Sequence, residues 1–138
     1  MLQVFKKLII NTSPYEIIDI TQNIYNLISK YDVIDGLINL SILHTSCSLM
    51  IQENADSNVL KDISVFLKNI APESNYLHSA EGPDDMPAHL KSLLTQTHIS
   101  LSFKDKQIIL GTWQGIFLLE HKATIKKREV LVHLLGEN

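Results

Sequence analysis

The fold class is decided by residues 98–121, which read HISLSFKDKQIILGTWQGIFLLEH. Branched and aromatic apolar residues recur through this stretch and are interrupted by turn-forming residues, a pattern typical of short β-strands. It predicts strands at 98–103, 107–112 and 114–121, the first two joined across Lys104-Asp105-Lys106. Strands that follow one another through such short connections favour an antiparallel sheet.

Further elements are predicted on both sides of this stretch. Apolar side chains recur at three- and four-residue spacings from Ile20 to Tyr31 and from Val59 to Ile70, which predicts two amphipathic helices. Pro87 suits the first position of a third, short helix. Strands are predicted at 3–10, 37–44, 48–53 and 128–135, and a long functional or mobile loop at 71–86. Because strands outnumber helices, we expect one α+β domain over residues 1–138, a mostly antiparallel β-sheet or sandwich with three helices packed on it.

Composition and charge exclude several classes of protein. With 138 residues, 45% of them hydrophobic and 20% charged, the chain has the balance of one folded domain and not of a disordered protein. The formal net charge is −3, and Arg128 is the single arginine among twelve basic residues. Nucleic acid is therefore not an expected partner, because binding to it needs an excess of cations and the forked donors of arginine.

The sequence also bears on location. Lys6 and Lys7 interrupt the apolar start of the chain, where a secretory signal needs an uncharged stretch. No window approaches the ~20 apolar residues of a membrane span, so no membrane partner is expected. Cys47 is the single cysteine and cannot form an internal disulfide, so we expect a buried thiol and a cytoplasmic location.

Three of the six histidines are candidate metal ligands. His44 continues the apolar row of the strand at 37–44, His78 lies in the long loop, and His89 falls in the first turn of the third helix. Three neutral imidazoles brought together would make a catalytic-type zinc site with an open position. The alternative is one core histidine and two surface histidines. The spacing along the chain leaves both interpretations open.

A dense polar cluster follows His44. Hydroxyls such as those of Thr45 and Ser46 are candidates for binding oxyanions, and Glu53 is a candidate general base or ligand near a metal. Asn54 is a further candidate for substrate binding. The alternative is that Asn54 and Asp56 have structural roles, forming a turn and capping the following helix.

Glu120 and a glycine-flanked segment supply the last candidates. Glu120 lies in the same alternating row as apolar residues of the strand at 114–121, so it is either half-buried with a raised pKa, suited to acid/base catalysis, or at a solvent-exposed strand end. Trp113 and Gln114 lie between two glycines and offer a flat face and an amide to a ligand. A structural bend explains the glycines equally well.

These segments together resemble the YjbQ family, also called the secondary thiamine-phosphate synthase family. The resemblance is carried by residues 44–49 and 52–56, 76–78, 84–91, 110–115 and Glu120, in that order along the chain. It implies a compact α+β fold that assembles as a homotrimer. It also implies a divalent metal ion, zinc or magnesium, at a cleft associated with the subunit contacts. His44, His78 and His89 fall on the family's histidine positions and Glu53 on its acidic position.

The family name implies an activity, the joining of a pyrimidine pyrophosphate to a thiazole phosphate with release of pyrophosphate. For such a small phosphorylated substrate, Asp84 and Asp85 would assist the metal, and Lys91 with the helix start at Pro87 would bind an anion. One departure concerns the segment after Glu120. Family members carry an aspartate two residues later and then a Gly-Pro-Arg run, where this chain has His121-Lys122-Ala123-Thr124-Ile125-Lys126.

Two rival functions are also consistent with these residues. One is a non-catalytic trimer that binds a metal or another ligand. The other is a metal-assisted hydrolase of a small ester. Turnover of a phosphorylated substrate would distinguish the first from the enzyme, and activity without any such substrate would indicate the second.

Overall fold

The computed structural model describes all residues from Met1 to Asn138. It contains eight strands and three helices. In chain order these are β1 (Leu2–Thr12), β2 (Ile17–Asp19), α1 (Thr21–Ile28), β3 (Asp35–Ile42), β4 (Cys47–Glu53), α2 (Ser57–Ile70), α3 (Asp85–Leu94), β5 (His98–Lys104), β6 (Gln107–Ile108), β7 (Gln114–Glu120) and β8 (Lys126–Glu137).

The strands form two sheets in which every pairing is antiparallel. The five-stranded sheet has the order β1-β8-β3-β5-β6, and the three-stranded sheet has the order β2-β7-β4. Strand β8 lies between β1 and β3 and is hydrogen-bonded to both along most of its length. The predicted α+β class, with antiparallel sheets and three helices, is confirmed.

The core lies between the two sheets. Ile38 and Leu40 of the larger sheet and Ile116 and Leu118 of the smaller sheet belong to one cluster of buried side chains, together with Ile24 of α1. Alternation along each strand sends these residues inward, as a period of two requires. Burial of this apolar surface is the main free-energy gain of folding.

Two predicted strand boundaries are wrong. The strand expected at 107–112 ends at Ile108, because the chain then turns, and the Gly111 amide donates to Oε1 of Gln114 at 2.7 Å. The strand expected at 37–44 ends at Ile42. His44 therefore lies in the connection to β4, and its ring takes the place of a backbone acceptor for β8.

The third helix begins earlier than predicted. It starts at Asp85, so Pro87 is its third residue and not its first. Proline is tolerated throughout the first turn, because the amides there have no partner within the helix. This shift places Asp85 on the helix, four residues before His89.

None of the three helices is long and apolar enough to cross a membrane.

Candidate functional site

Two histidines converge on one carboxylate oxygen. Nε2 of His78 lies 2.6 Å, and Nε2 of His89 lies 3.0 Å, from Oδ2 of Asp85. Glu81 approaches the same group, with its Oε2 3.3 Å from Nε2 of His78. One ligand atom from each of the four side chains lies within 4.8 Å of the others. This set, His78, Glu81, Asp85 and His89, is called the His–Asp cluster below.

Local structure explains how the cluster forms. Asp85 and His89 are separated by one helical turn of α3, and residues four apart face the same side of a helix. His78 and Glu81 come from the loop that precedes α3. The loop reverses at Gly82, whose φ of 104° is readily adopted only by glycine.

The tautomer of His89 is set by a backbone contact. Its Nδ1 lies 2.9 Å from the carbonyl oxygen of Thr45, which can only accept a hydrogen bond, so Nδ1 carries a proton. In the neutral ring, Nε2 then presents a lone pair toward Asp85. Metal-binding histidines commonly have this arrangement, with the second ring nitrogen donating to a backbone carbonyl.

Lys122 forms ion pairs with both Asp84 and Asp85, through the oxygen of Asp85 that does not contact the histidines. Its Nζ donates to Oδ1 of Asp85 at 2.9 Å and to Oδ1 of Asp84 at 3.1 Å. Hydrogen bonds from Lys122 and His78 hold the pKa of the Asp85 carboxyl well below its usual range. Burial alone would lower the pKa of Lys122, but its hydrogen bonds with Asp85 and Asp84 outweigh burial and raise it. The hydrogen bond with Asp85 likewise raises the pKa of His78.

The His–Asp cluster fits a divalent cation. A neutral Nε2 and a carboxylate oxygen are both acceptors, so a proton or a metal ion must lie between them. Tetrahedral zinc with bonds of ~2.0–2.1 Å places its ligand atoms ~3.3 Å apart. The distances from Oδ2 of Asp85, 2.6 Å to Nε2 of His78 and 3.0 Å to Nε2 of His89, are shorter than this spacing, so a bound ion would move the ligand atoms apart.

His44 is not part of the cluster, contrary to the geometry that we predicted. Its Nε2 accepts a hydrogen bond from the Glu129 amide at 2.8 Å, so the ring nitrogen that would bind a metal is already used by β8. Burial and the charge of Arg128 lower the pKa of His44, which favours the neutral ring that this bond needs. The structure therefore brings two of the three predicted histidines together and leaves the third apart.

Glu120 matches neither of the two environments expected for it. Its side chain is buried and forms a two-point ion pair with Arg128, whose Nε donates to Oε1 at 2.7 Å. Thr12 donates to the same oxygen at 2.6 Å, and the Lys122 amide donates to Oε2 at 3.1 Å. Burial alone would raise the pKa of Glu120, but the hydrogen bonds from Arg128, Thr12 and the Lys122 amide, together with the charge of Arg128, outweigh burial and lower the pKa.

Ser46 belongs to this buried ion pair and not to the His–Asp cluster. Its Oγ accepts from Nη2 of Arg128 at 3.0 Å. Thr45 contributes its backbone carbonyl to His89 and no side-chain contact to the cluster. The hydroxyls predicted to bind oxyanions therefore have other partners or lie elsewhere.

The remaining predicted residues are spread over other parts of the surface. Glu53 and Asn54 line a cavity of about 310 Å³ beside the start of α2. Gln114 closes the turn that follows Gly111 through its side-chain oxygen, a role that the structural interpretation of the glycines did not give it, and Trp113 is largely exposed. Lys91 lines a larger, separate cavity, together with Asp84.

Sequence reasoning missed two participants, Glu81 in the cluster and Arg128 as the partner of Glu120. The spacing of Asp85 and His89 is a helical i, i+4 signal, but it is visible only when the helix is taken to begin before Pro87. Arg128 is eight residues from Glu120, and no periodicity joins the ends of two different strands. The thiol of Cys47 is buried as expected, and burial raises its pKa to about 12.

Comparisons with known proteins agree with the fold. Residues 6–137 match a family model described as UPF0047 protein YjbQ-like. The chain is 42% identical over 132 residues to a UPF0047 protein of Synechocystis sp., covering 94% of this chain and 90% of the relative. It is 38% identical over 134 residues to a UPF0047 protein of Methanocaldococcus jannaschii, covering 96% and 94%.

Two solved structures are also similar. A YjbQ/UPF0047 family protein from Clostridium acetobutylicum has a TM-score of 0.86 and 30% identity, covering 94% of this chain and 99% of that one. A conserved hypothetical protein from Thermus thermophilus has a TM-score of 0.83 and 35% identity, with the same coverage of 94% and 99%.

Proposed function

This chain belongs to the UPF0047 YjbQ-like family, and from that premise we propose that it is a metal-dependent enzyme acting on a small phosphorylated metabolite. One observation supports the metal above all others, the convergence of two imidazole Nε2 atoms on a single carboxylate oxygen. The reaction to test first is the one attached to the family by resemblance, formation of thiamine phosphate.

The cation is held by His78, Asp85 and His89, with Glu81 as a fourth ligand or as a carboxylate beside an open position. Zinc suits this set better than magnesium, because imidazole nitrogens favour zinc and magnesium favours oxygen ligands. A bound divalent cation supplies Lewis acidity, which stabilises negative charge on a phosphoryl group or on a leaving pyrophosphate.

The chain's own residues prepare this chemistry. The carbonyl of Thr45 keeps the proton of His89 on Nδ1 and so leaves Nε2 free to bind the cation. Lys122 balances the charge of Asp85 on the side away from the histidines. Glu53 lines a cavity beside the start of α2 and is not part of the His–Asp cluster, so its role as a general base stays a prediction.

Elemental analysis of purified protein tests the metal. We expect about one zinc ion per chain in the wild type and less than about a tenth of that in His89→Ala, because the remaining ligands are too few for a stable site. His98→Ala is the matched control, since His98 is an exposed histidine of β5 outside the cluster. Unchanged metal content in His89→Ala, or its loss in His98→Ala, would contradict the proposed site.

Turnover tests the enzyme. Metal-loaded protein is given the pyrimidine pyrophosphate and thiazole phosphate, and then a panel of phosphorylated metabolites. Loss of product on chelation and its return with zinc would support the proposal. Metal-loaded protein that consumes no member of the panel favours a non-catalytic metal-binding protein. Activity on an ester that carries no phosphate favours the hydrolase.

We further propose that the chain assembles as a homotrimer through the outer face of the five-stranded sheet. Phe5 and Ile9 of β1 and Leu37 of β3 point outward there and are exposed. Exposed apolar side chains on one sheet face are characteristic of a protein contact surface. A second chain packed on this face would bury them.

A further inference from the structure

One cavity of the protein is separate from the His–Asp cluster. It has a volume of about 620 Å³ and lies among β2, the second half of α2, the start of α3 and the end of β7. This size is within the range of small-molecule sites, ~300–1,000 Å³. Neither His78 nor His89 lines it.

Lys91 lines this cavity without an ion-pair partner. The residue is 8% exposed, and its ammonium forms no hydrogen bond and no ion pair. Its one specific contact is with the ring of Tyr15, whose centroid lies 5.1 Å from Nζ. Lys122, by contrast, is equally buried and is bound by two carboxylates. The Nζ of Lys91 is not cut off from solvent and lies at the cavity, so an anion that enters the cavity would pair with this ammonium and offset part of the cost of burying its charge.

The other charged groups of the cavity are Lys68, Glu73, Asp84 and Glu120. Glu120 is paired with Arg128, whereas Asp84 shares Lys122 with Asp85, so the charge of Asp84 is balanced only in part. The charges that remain without an ion pair are those of Lys68 and Lys91 and the single negative charge of Glu73. An anionic ligand would therefore meet two ammonium groups, the carboxylate of Glu73 and the partly balanced carboxylate of Asp84.

The lining is also apolar in part. Carbon-rich side chains cover the cavity between its charged groups, among them Ile17, Leu67, Pro72 and Leu119. Inorganic phosphate or another small ion would leave most of this surface in contact with water. A ligand that has an apolar body as well as a charged group would bury it and gain free energy.

We propose that this cavity binds a small organic anion, a carboxylate or a phosphate monoester, whose charged group pairs with Lys91 and whose apolar body packs on the cavity lining. Lys68 contributes a second positive charge from α2. The proposal concerns a site distinct from the His–Asp cluster and does not depend on the proposed enzyme function.

The two sites lie on different faces of α3. Asp85 and His89 face the cluster, whereas Asp84, Pro87 and Lys91 line the cavity. The spacings of three and four residues in the second set place its members on a common helix face. Binding in the cavity is therefore expected without any metal in the cluster.

Calorimetric titration at constant ionic strength tests the site with phenyl phosphate and benzoate as probes, in the presence of a chelator. Benzyl alcohol serves as the neutral analogue and inorganic phosphate as the anion without an apolar body. We expect saturable binding of at least one organic anion, tenfold or more tighter than either benzyl alcohol or inorganic phosphate. Comparison of the two organic probes shows whether the phosphate or the carboxylate is preferred.

Lys91→Met keeps the length and the apolar stem of the side chain but removes its charge, and we expect it to weaken that binding at least tenfold. Lys91→Arg keeps the charge and should retain binding. Lys61→Met is the matched control, because Lys61 is an exposed lysine of α2 outside the cavity. The proposal is overturned if the wild type binds neither organic anion, if benzyl alcohol binds as tightly, or if Lys91→Met and Lys61→Met behave alike.

Discussion

Replacing Glu120 by glutamine tests whether this residue acts in the structure or in catalysis. The carboxylate is buried and accepts hydrogen bonds from Arg128, Thr12 and the Lys122 amide. Glutamine has nearly the same shape but no charge, so Arg128 would stay buried beside a neutral amide. Removing one partner of a buried ion pair typically costs ~3–5 kcal/mol, because the other charge is left uncompensated.

The expected loss is large enough to measure by two routes. Urea unfolding should show a free energy of unfolding lower by ~3–5 kcal/mol with an unchanged m-value. For a chain of this size, each kcal/mol corresponds to ~3–5 °C, so the melting temperature should fall by ~10–25 °C. Glu129→Gln is the control, since Glu129 forms only a partly exposed pair with Lys7 at 3.8 Å. Such pairs contribute ~0–1 kcal/mol.

A double variant shows whether the cost comes from the unpaired charge. Glu120→Gln combined with Arg128→Met removes both charges, and we expect it to be more stable than Glu120→Gln alone, because no uncompensated cation remains. A loss below ~1 kcal/mol in Glu120→Gln, or a double variant that is less stable still, would refute this reasoning. Normal stability combined with lost turnover would instead support a catalytic role for Glu120.

Two further predictions concern pH and assembly. Burial and the nearby charge of Lys91 lower the pKa of His121 to about 4. The unfolded chain therefore binds a proton at this residue near pH 6.5 that the folded chain does not, so stability should fall by ~3 kcal/mol as pH decreases from about 6.5 to about 4. His121→Gln should flatten this slope in urea titrations, and an identical slope would count against it. In sedimentation at micromolar concentration we expect a species of three 15.6 kDa chains. The substitution Phe5→Lys should dissociate this species, whereas the control Leu77→Lys should not. A monomeric wild type would exclude the trimer.

Regular elements were predictable where side-chain periodicity is strong. The row of Ile38, Leu40 and Ile42 is buried as alternation requires, and the helix stripe ending at Ile70 corresponds to α2. Short elements were not predictable from the sequence. Strand β2 has only three residues, Ile17–Asp19, and is held by pairing with β7. Three residues are too few for a pattern of alternating side chains to predict a strand.

The candidate site was predictable only in part, and its residues show why. His78 and His89 were identified by residue type and resemblance, and they do lie together. His44 was identified in the same way and yet lies apart, because its ring accepts a hydrogen bond from the Glu129 amide near the start of β8. Lys91 was expected to bind an anion beside the metal. Its position on α3 turns it instead toward a different cavity.

The amino-acid sequence by itself determined the fold class, the main helices and strands, and the set of polar residues from which a site is built, because alternation and helical spacing are properties of neighbouring residues. Only the tertiary structure decided which of those residues meet. The pairing of Glu120 with Arg128, of Lys122 with Asp85, and of two histidines with one carboxylate depends on how strand ends and a loop come together in space. Such contacts follow from packing and from the free-energy cost of leaving a buried charge unpaired. That cost cannot be assigned to particular partners until the chain is folded.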